Sequence, residues 1–115
     1  MDPLQVSYKP RVNGSLMQRF KGKQVILVAK VEDYDPGQNM ATVQTSDAMV
    51  CHVILTPNDR LANITEFYGV VTEDGKRLKE ISRVDLNDDF DFPAYDQMLN
   101  LSHNQFRSLF MDSTI

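Results

Sequence analysis

A change of period constrains this chain more than any other feature. From Gln24 to Leu86 the apolar residues recur at every second position in five short runs, and from about residue 92 they recur every three or four. One chain satisfies both patterns by building a small sheet and then leaving it as a helix. With 115 residues there is enough chain for one hydrophobic core and not for two.

The runs read as follows. "KQVILVAKVEDYD" has four consecutive apolar residues, Val25 to Val28, and then alternates, as a long strand does when one end is buried on both faces. "PGQN" turns the chain into "MATVQTS", Asp47 breaks that run, and "AMVCHVILT" is a third strand. "PNDRLAN" is a connector with room for one helical turn, and "ITEFYGVVTE" and "RLKEISRVDL" flank a tight turn centred on Asp74 and Gly75. Ahead of them "NGSLMQRFKG" reads as a short helix, capped by Asn13 or Ser15, with Leu16 and Phe20 on one face and Gly22 at its end. Five strands preceded by a helical turn predict an all-β fold, a closed OB-fold barrel, followed by a C-terminal amphipathic α-helix. An SH3-like barrel has a similar strand count, but the long first strand and Gly69, placed where a barrel strand must bend, favour the OB-fold. The expected divisions are a tail over 1–10, the barrel over 11–88, and a linker with an oligomerisation helix over 89–115.

"DFDFPAYDQMLNLSHNQF" opens that helix. Asp91 is the expected cap, Pro93 fits only in the first turn, and Phe90 is positioned to pack on Tyr95 as a hydrophobic staple. Tyr95, Met98, Leu99, Ser102, Phe106, Leu109 and Phe110 recur at steps of three and four and form one stripe, with Asp96 expected on the opposite side of the helix start. A barrel buries its core inside itself and needs one short plug, a role that "SLMQRF" can fill. The stripe is therefore expected to be covered by another chain, with packing on the chain's own barrel as the alternative. Leu101 lies off the stripe, and an apolar surface wider than one seam suits a bundle of more than two helices.

Several chemistries are not expected. Cys51 and His52 are adjacent on a strand and point to opposite faces, so they cannot form a nucleophile–base pair. Asp85, Asn87, Asp89 and Asp91 begin like a calcium loop, but its glycine and glutamate places hold Phe90 and Asp96. No catalytic residue, metal site or cofactor is expected, nor a disulfide with a single cysteine. No run approaches the ~18 apolar residues of a membrane span, and no apolar leader is visible, so an intracellular, reducing compartment is expected.

Three stretches together carry a family resemblance: "RVNGSLMQRFKGKQVILVAKVEDYDPG", "ITEFYGVV" and "FDFPAYDQMLNL", in this order and spacing. They resemble the smallest-subunit family of replication protein A, the eukaryotic single-stranded-DNA-binding heterotrimer, over about Arg11 to His103. "SDAMVCHVILT" departs from the family, which tends to be more acidic or glycine-rich there. The resemblance implies a nuclear protein that joins a middle and a large subunit through its C-terminal helix and reaches single-stranded DNA through that complex, in replication, repair and recombination. Lys76, Arg77, Lys79 and Arg83 are candidates for weak DNA contact by the barrel itself. A net charge of −4 and few aromatic residues in the strands argue against a strong intrinsic grip. The alternatives are a stand-alone OB-fold module that binds nucleic acid, or the equivalent small subunit of a telomere-capping trimer.

Overall fold

The computed structural model describes residues 9–57 and 60–112, with side chains described as far as His103 in the last helix. The elements are β1 (Arg11–Val12), α1 (Gly14–Met17), β2 (Gln24–Asp35), β3 (Met40–Thr45), β4 (Val50–Ile54), β5 (Ile64–Val71), β6 (Arg77–Asp85) and α2 (Phe92–Asp112). A single 3₁₀ turn, Gln18–Phe20, prolongs α1.

The strands lie in the order β1-β2-β3-β4-β6-β5, and β5 pairs back with β2, so β2 to β6 close a five-stranded ring. All its pairings are antiparallel except β4 with β6. This is the OB-fold barrel expected from the pattern. Its strand ends fall close to those read from the sequence. Strand β1 is an addition to that reading: two residues pair in parallel with Ile26 and Leu27 and extend the sheet outside the ring. Among the described residues of the connector, 57 and 60–63, there is no helical turn.

Alternation fills the interior. Val25, Leu27 and Ala29 of β2 meet Ala41 and Val43 of β3, Cys51 and Val53 of β4, Phe67 and Val71 of β5 and Leu78 of β6. Leu16 and Met17 of α1 plug one end of this core. Asn13 caps α1 by accepting the Leu16 N–H at 3.0 Å, one of the two caps expected. Strand β2 is buried on both faces near its start, because Ile26 and Val28 are also buried although neither belongs to the interior cluster.

Gly69 sits where β5 and β6 change register: Tyr68 pairs with Ser82 and Gly69 with Glu80, leaving Ile81 as the extra residue of a bulge. A Cβ on Gly69 would lie 2.3 Å from the Lys79 carbonyl oxygen, so only glycine lets the strands approach this closely.

The β3–β4 connection is a turn closed by the Ala48 N–H to the Thr45 carbonyl at 2.9 Å. Ala48 itself adopts the left-handed region at φ 63°, the place such a loop usually gives to glycine. A Cβ in that conformation costs roughly 1–2 kcal/mol, part of which glycine returns as unfolded-chain entropy. Ala48→Gly should therefore stabilise the chain by about 0.5–1 kcal/mol, measured as a higher urea midpoint at unchanged slope.

Candidate assembly helix and nucleic-acid face

Helix α2 starts as its sequence dictates. The Asp91 carboxylate accepts the Ala94 N–H at 3.0 Å, Pro93 is the second helical residue, and the Phe90 ring packs edge-on against Tyr95 at 5.2 Å and Phe92 at 5.1 Å. One face of the helix then meets the chain's own barrel. The Asp96 carboxylate accepts the Asn13 amide at 2.7 Å and the Ser46 hydroxyl at 2.8 Å. His103 donates from Nε2 to the Arg11 carbonyl at 2.7 Å, and its ring packs edge-on against Phe20. Leu99 falls between Asp96 and His103 on this face and is 1% exposed.

Tyr95 belongs to the same contact. Its hydroxyl lies 3.4 Å from Arg11 Nη1, and that guanidinium also pairs with Glu66 at 2.6 Å. Glu66 in turn accepts the Tyr68 hydroxyl at 2.6 Å. Burial alone would raise the Glu66 carboxyl, but the Tyr68 hydroxyl and the Arg11 charge together hold it below the usual carboxylate range. Burial raises the Tyr95 phenol despite the opposing Arg11 charge.

The expected stripe is thereby divided. Leu99 and Tyr95 are turned toward the chain's own barrel, which corrects the expectation that both await a partner. Asp96 is likewise on the barrel side and not on the far side of the helix start. Met98 is 46% exposed and Ser102 is exposed, and Leu101, read as lying off the stripe, stands beside them at 59% exposed. Phe106, Leu109 and Phe110 lie on the helix, but their side chains fall outside the described residues. The sequence reading missed Arg11, Asn13, Ser46 and His103 as the contacts between barrel and helix. A signal was present: polar residues at 96 and 103 flank Leu99 at helical spacing, as on a face that bonds to something fixed.

Asp47, read only as a strand breaker, is a structural centre. Its carboxylate accepts the Gly14 N–H at 2.9 Å, the Ser15 N–H at 3.0 Å and the Thr45 hydroxyl. Burial would raise its pKa, but these bonds outweigh it and hold the group below the ordinary value. A depressed folded-state pKa contributes stability that is present above the unfolded pKa and lost as pH falls through the folded one. Asp47→Asn should therefore lower stability at neutral pH by about 1 kcal/mol. The gap to the unsubstituted chain should narrow as acid is added, read from urea midpoints across pH 7 to 3.

The second surface is the outside of β3, β4 and β6. Register places Thr42, His52 and Arg77 in one row and Met40, Ile54 and Lys79 in the next. Arg77 and Lys79 point outward, flanking the buried Leu78, and Lys76 is exposed in the preceding turn. Arg83, expected to join them, does not. Its side chain is buried, pairs with the buried Glu80 at 3.1 Å and donates to the Arg60 carbonyl. These rows hold no Phe, Tyr or Trp; Phe67 is interior, and Tyr68 lies on β5 beside Glu66. Cys51 is buried and His52 exposed, and burial first and the Asp47 charge second push the thiol up to about 12. Among the described residues no group of three or more His, Cys, Asp or Glu side chains is arranged to hold a metal ion, and no helix is long and apolar enough to cross a membrane.

A chain in the structure of U. maydis replication protein A bound to single-stranded DNA superposes with a TM-score of 0.79 at 24% identity, over 89% of this chain and 94% of that one. A 14 kDa subunit of replication protein A from Arabidopsis thaliana is 28% identical over 100 residues, which is 87% of this chain and 92% of the relative. The family model described as replication factor A protein 3 matches residues 1–110, nearly all of the barrel and helix. The chain belongs to the replication factor A protein 3 family.

Proposed function

We propose that this chain is a non-enzymatic assembly subunit of a heterotrimeric single-stranded-DNA-binding complex that acts in the nucleus in replication, repair and recombination. The working division is a tail over 1–10, a barrel over 11–88 and a linker with an assembly helix over 89–115. Helix α2 contributes one member of a three-helix bundle whose others come from the middle and large subunits. Joining the subunits in this way holds their DNA-binding barrels at high effective concentration along one strand, raising avidity without a new DNA contact from this chain.

The observation that supports this most is the exposure of Met98 and Leu101 on a helix whose other face is already occupied by its own barrel. At 21 residues α2 extends about 30 Å, well beyond the three turns that carry the described contacts. Together with Ser102, and with Phe106, Leu109 and Phe110 on the later turns, these residues are assigned to the partner seam. The experiment is co-expression of the tagged chain with the middle and large subunits, with recovery of a stoichiometric trimer as the expected result and its absence as the refutation.

The barrel face has three exposed cations, no stacking ring and a net charge of −4 behind it. The isolated chain should therefore bind a thirty-nucleotide single strand in the micromolar range or weaker at physiological salt. Fluorescence anisotropy decides this. A nanomolar dissociation constant would favour the stand-alone nucleic-acid module instead.

A further inference from the structure

Asn13 and Gly14 form the one Asn-Gly pair in the sequence, and such a pair is chemically labile. The glycine amide nitrogen, unhindered by a side chain of its own, can attack the asparagine side-chain carbonyl carbon. An N–Cγ bond forms, the Cγ–Nδ2 bond breaks, and the departing nitrogen takes up the glycine amide proton and leaves as ammonia. Water then opens the cyclic imide at either carbonyl and yields aspartate or isoaspartate. We infer that Asn13–Gly14 is a deamidation site held shut by docked α2 and by Asp47, and that its conversion marks a chain whose α2 has left the barrel and keeps that helix from returning. This holds whatever α2 assembles with.

The fold has a reason to keep so labile a pair. Asn13 acts in two directions: its Oδ1 accepts the Leu16 N–H at 3.0 Å and the Ser15 hydroxyl at 3.1 Å, while its Nδ2 donates to Asp96 at 2.7 Å. An aspartate could cap α1 equally well but has no hydrogen to give to Asp96. At the next position a Cβ would lie 2.7 Å from Met49 Cβ and 2.8 Å from Thr45 Oγ1, so the β3–β4 turn admits only glycine there.

Three contacts oppose the reaction in the docked chain. Asn13 is 1% exposed, which keeps its side chain from turning and water from an imide. The Gly14 N–H is donated to Asp47 at 2.9 Å, and that carboxylate, kept ionised by its hydrogen bonds, resists loss of the very proton that must go. Asp96, which also accepts the Ser46 hydroxyl at 2.8 Å, holds the leaving nitrogen. The third contact is supplied by α2, so undocking frees the Asn13 amide to rotate. Conversion then blocks the way back. Aspartate at position 13 sets a carboxylate against Asp96 where an amide had donated, and isoaspartate adds a methylene to the backbone and displaces the cap.

The test follows deamidation at position 13 in mildly alkaline buffer, well below the thermal transition, by peptide mapping with mass spectrometry, with isoaspartate counted by enzymatic methylation. Chemistry confined to an opened state is slowed by the fraction of time spent open, so the full chain should react about a hundredfold or more slowly than a peptide of residues 9–18. Asp96→Ala and, separately, Leu99→Glu should raise the full-chain rate about tenfold or more while amide protection across β2 and β5 persists, which separates release of α2 from unfolding of the barrel. Met98→Glu with Leu101→Glu, which spares the docked face, should react like the unsubstituted chain. Asn13→Asp should keep the barrel protected and open residues 94–103 to fast amide exchange. Four results overturn the gate: a full chain that reacts as fast as the peptide, release variants that react no faster than the unsubstituted chain, release variants that both lose protection in β2 and β5, or Asn13→Asp with α2 still protected.

Discussion

Met98→Glu combined with Leu101→Glu should abolish recovery of the chain with its larger partners and leave its own thermal transition within a degree or two. Both side chains are exposed in the single chain, so the carboxylates cost little there. In a helix bundle the same carboxylates would be desolvated without partners, at several kcal/mol, which is at least a hundredfold in affinity. Leu99→Glu is the informative contrast. Leu99 is buried between the Asp96 and His103 contacts, so the substitution removes a leucine worth about 2–5 kcal/mol and forces a charge into its place. It should release α2 from the barrel in the isolated chain, seen as faster amide exchange over residues 94–103. If the double variant still assembles, the seam lies elsewhere. If Leu99→Glu leaves exchange unchanged, the docking of α2 is not held by that face.

Much of this arrangement is legible in the sequence because it is local. Alternation places strands β2 to β6, Asp91 and Pro93 fix the start of α2, and adjacency separates Cys51 from His52. What sequence could not supply is partnership between distant segments. The apolar stripe on α2 is read as wider than one seam, but periodicity gives a helix a face without saying what lies opposite. The assignment of Leu99 to a partner fails because Asn13, Ser46 and Arg11, all more than forty residues away in sequence, hold Asp96 and His103 on either side of it. The expectation for Arg83 fails for a related reason. Counting basic residues near a hairpin cannot reveal that a bulge at Ile81 shifts the strand's alternation and carries the guanidinium onto a buried glutamate.

That buried pair sets the largest stability effect in the barrel. Glu80 lies on the interior side of β6, where it accepts the Thr56 N–H at 2.9 Å, the Thr56 hydroxyl at 2.6 Å and the Arg83 guanidinium at 3.1 Å. Glu80→Gln keeps the volume but removes the charge, leaving Arg83 buried opposite a neutral amide. Breaking one side of a buried ion pair costs about 3–5 kcal/mol, because the guanidinium loses its buried, charged acceptor. Replacing both partners with apolar residues of similar size, Glu80→Leu with Arg83→Met, removes both buried charges together. The double variant should regain most of the loss, and a residue of about 1–2 kcal/mol should remain because the Thr56 N–H and hydroxyl lose their acceptor. Urea unfolding of the full chain measures all three states. A Glu80→Gln cost under about 1 kcal/mol would mean that water reaches the pair and that Arg83 is available at the surface after all. With the expected large cost, Arg83→Ala lowers stability and leaves residual DNA affinity to Lys76, Arg77 and Lys79, whose alanine variants should weaken DNA binding and spare the fold.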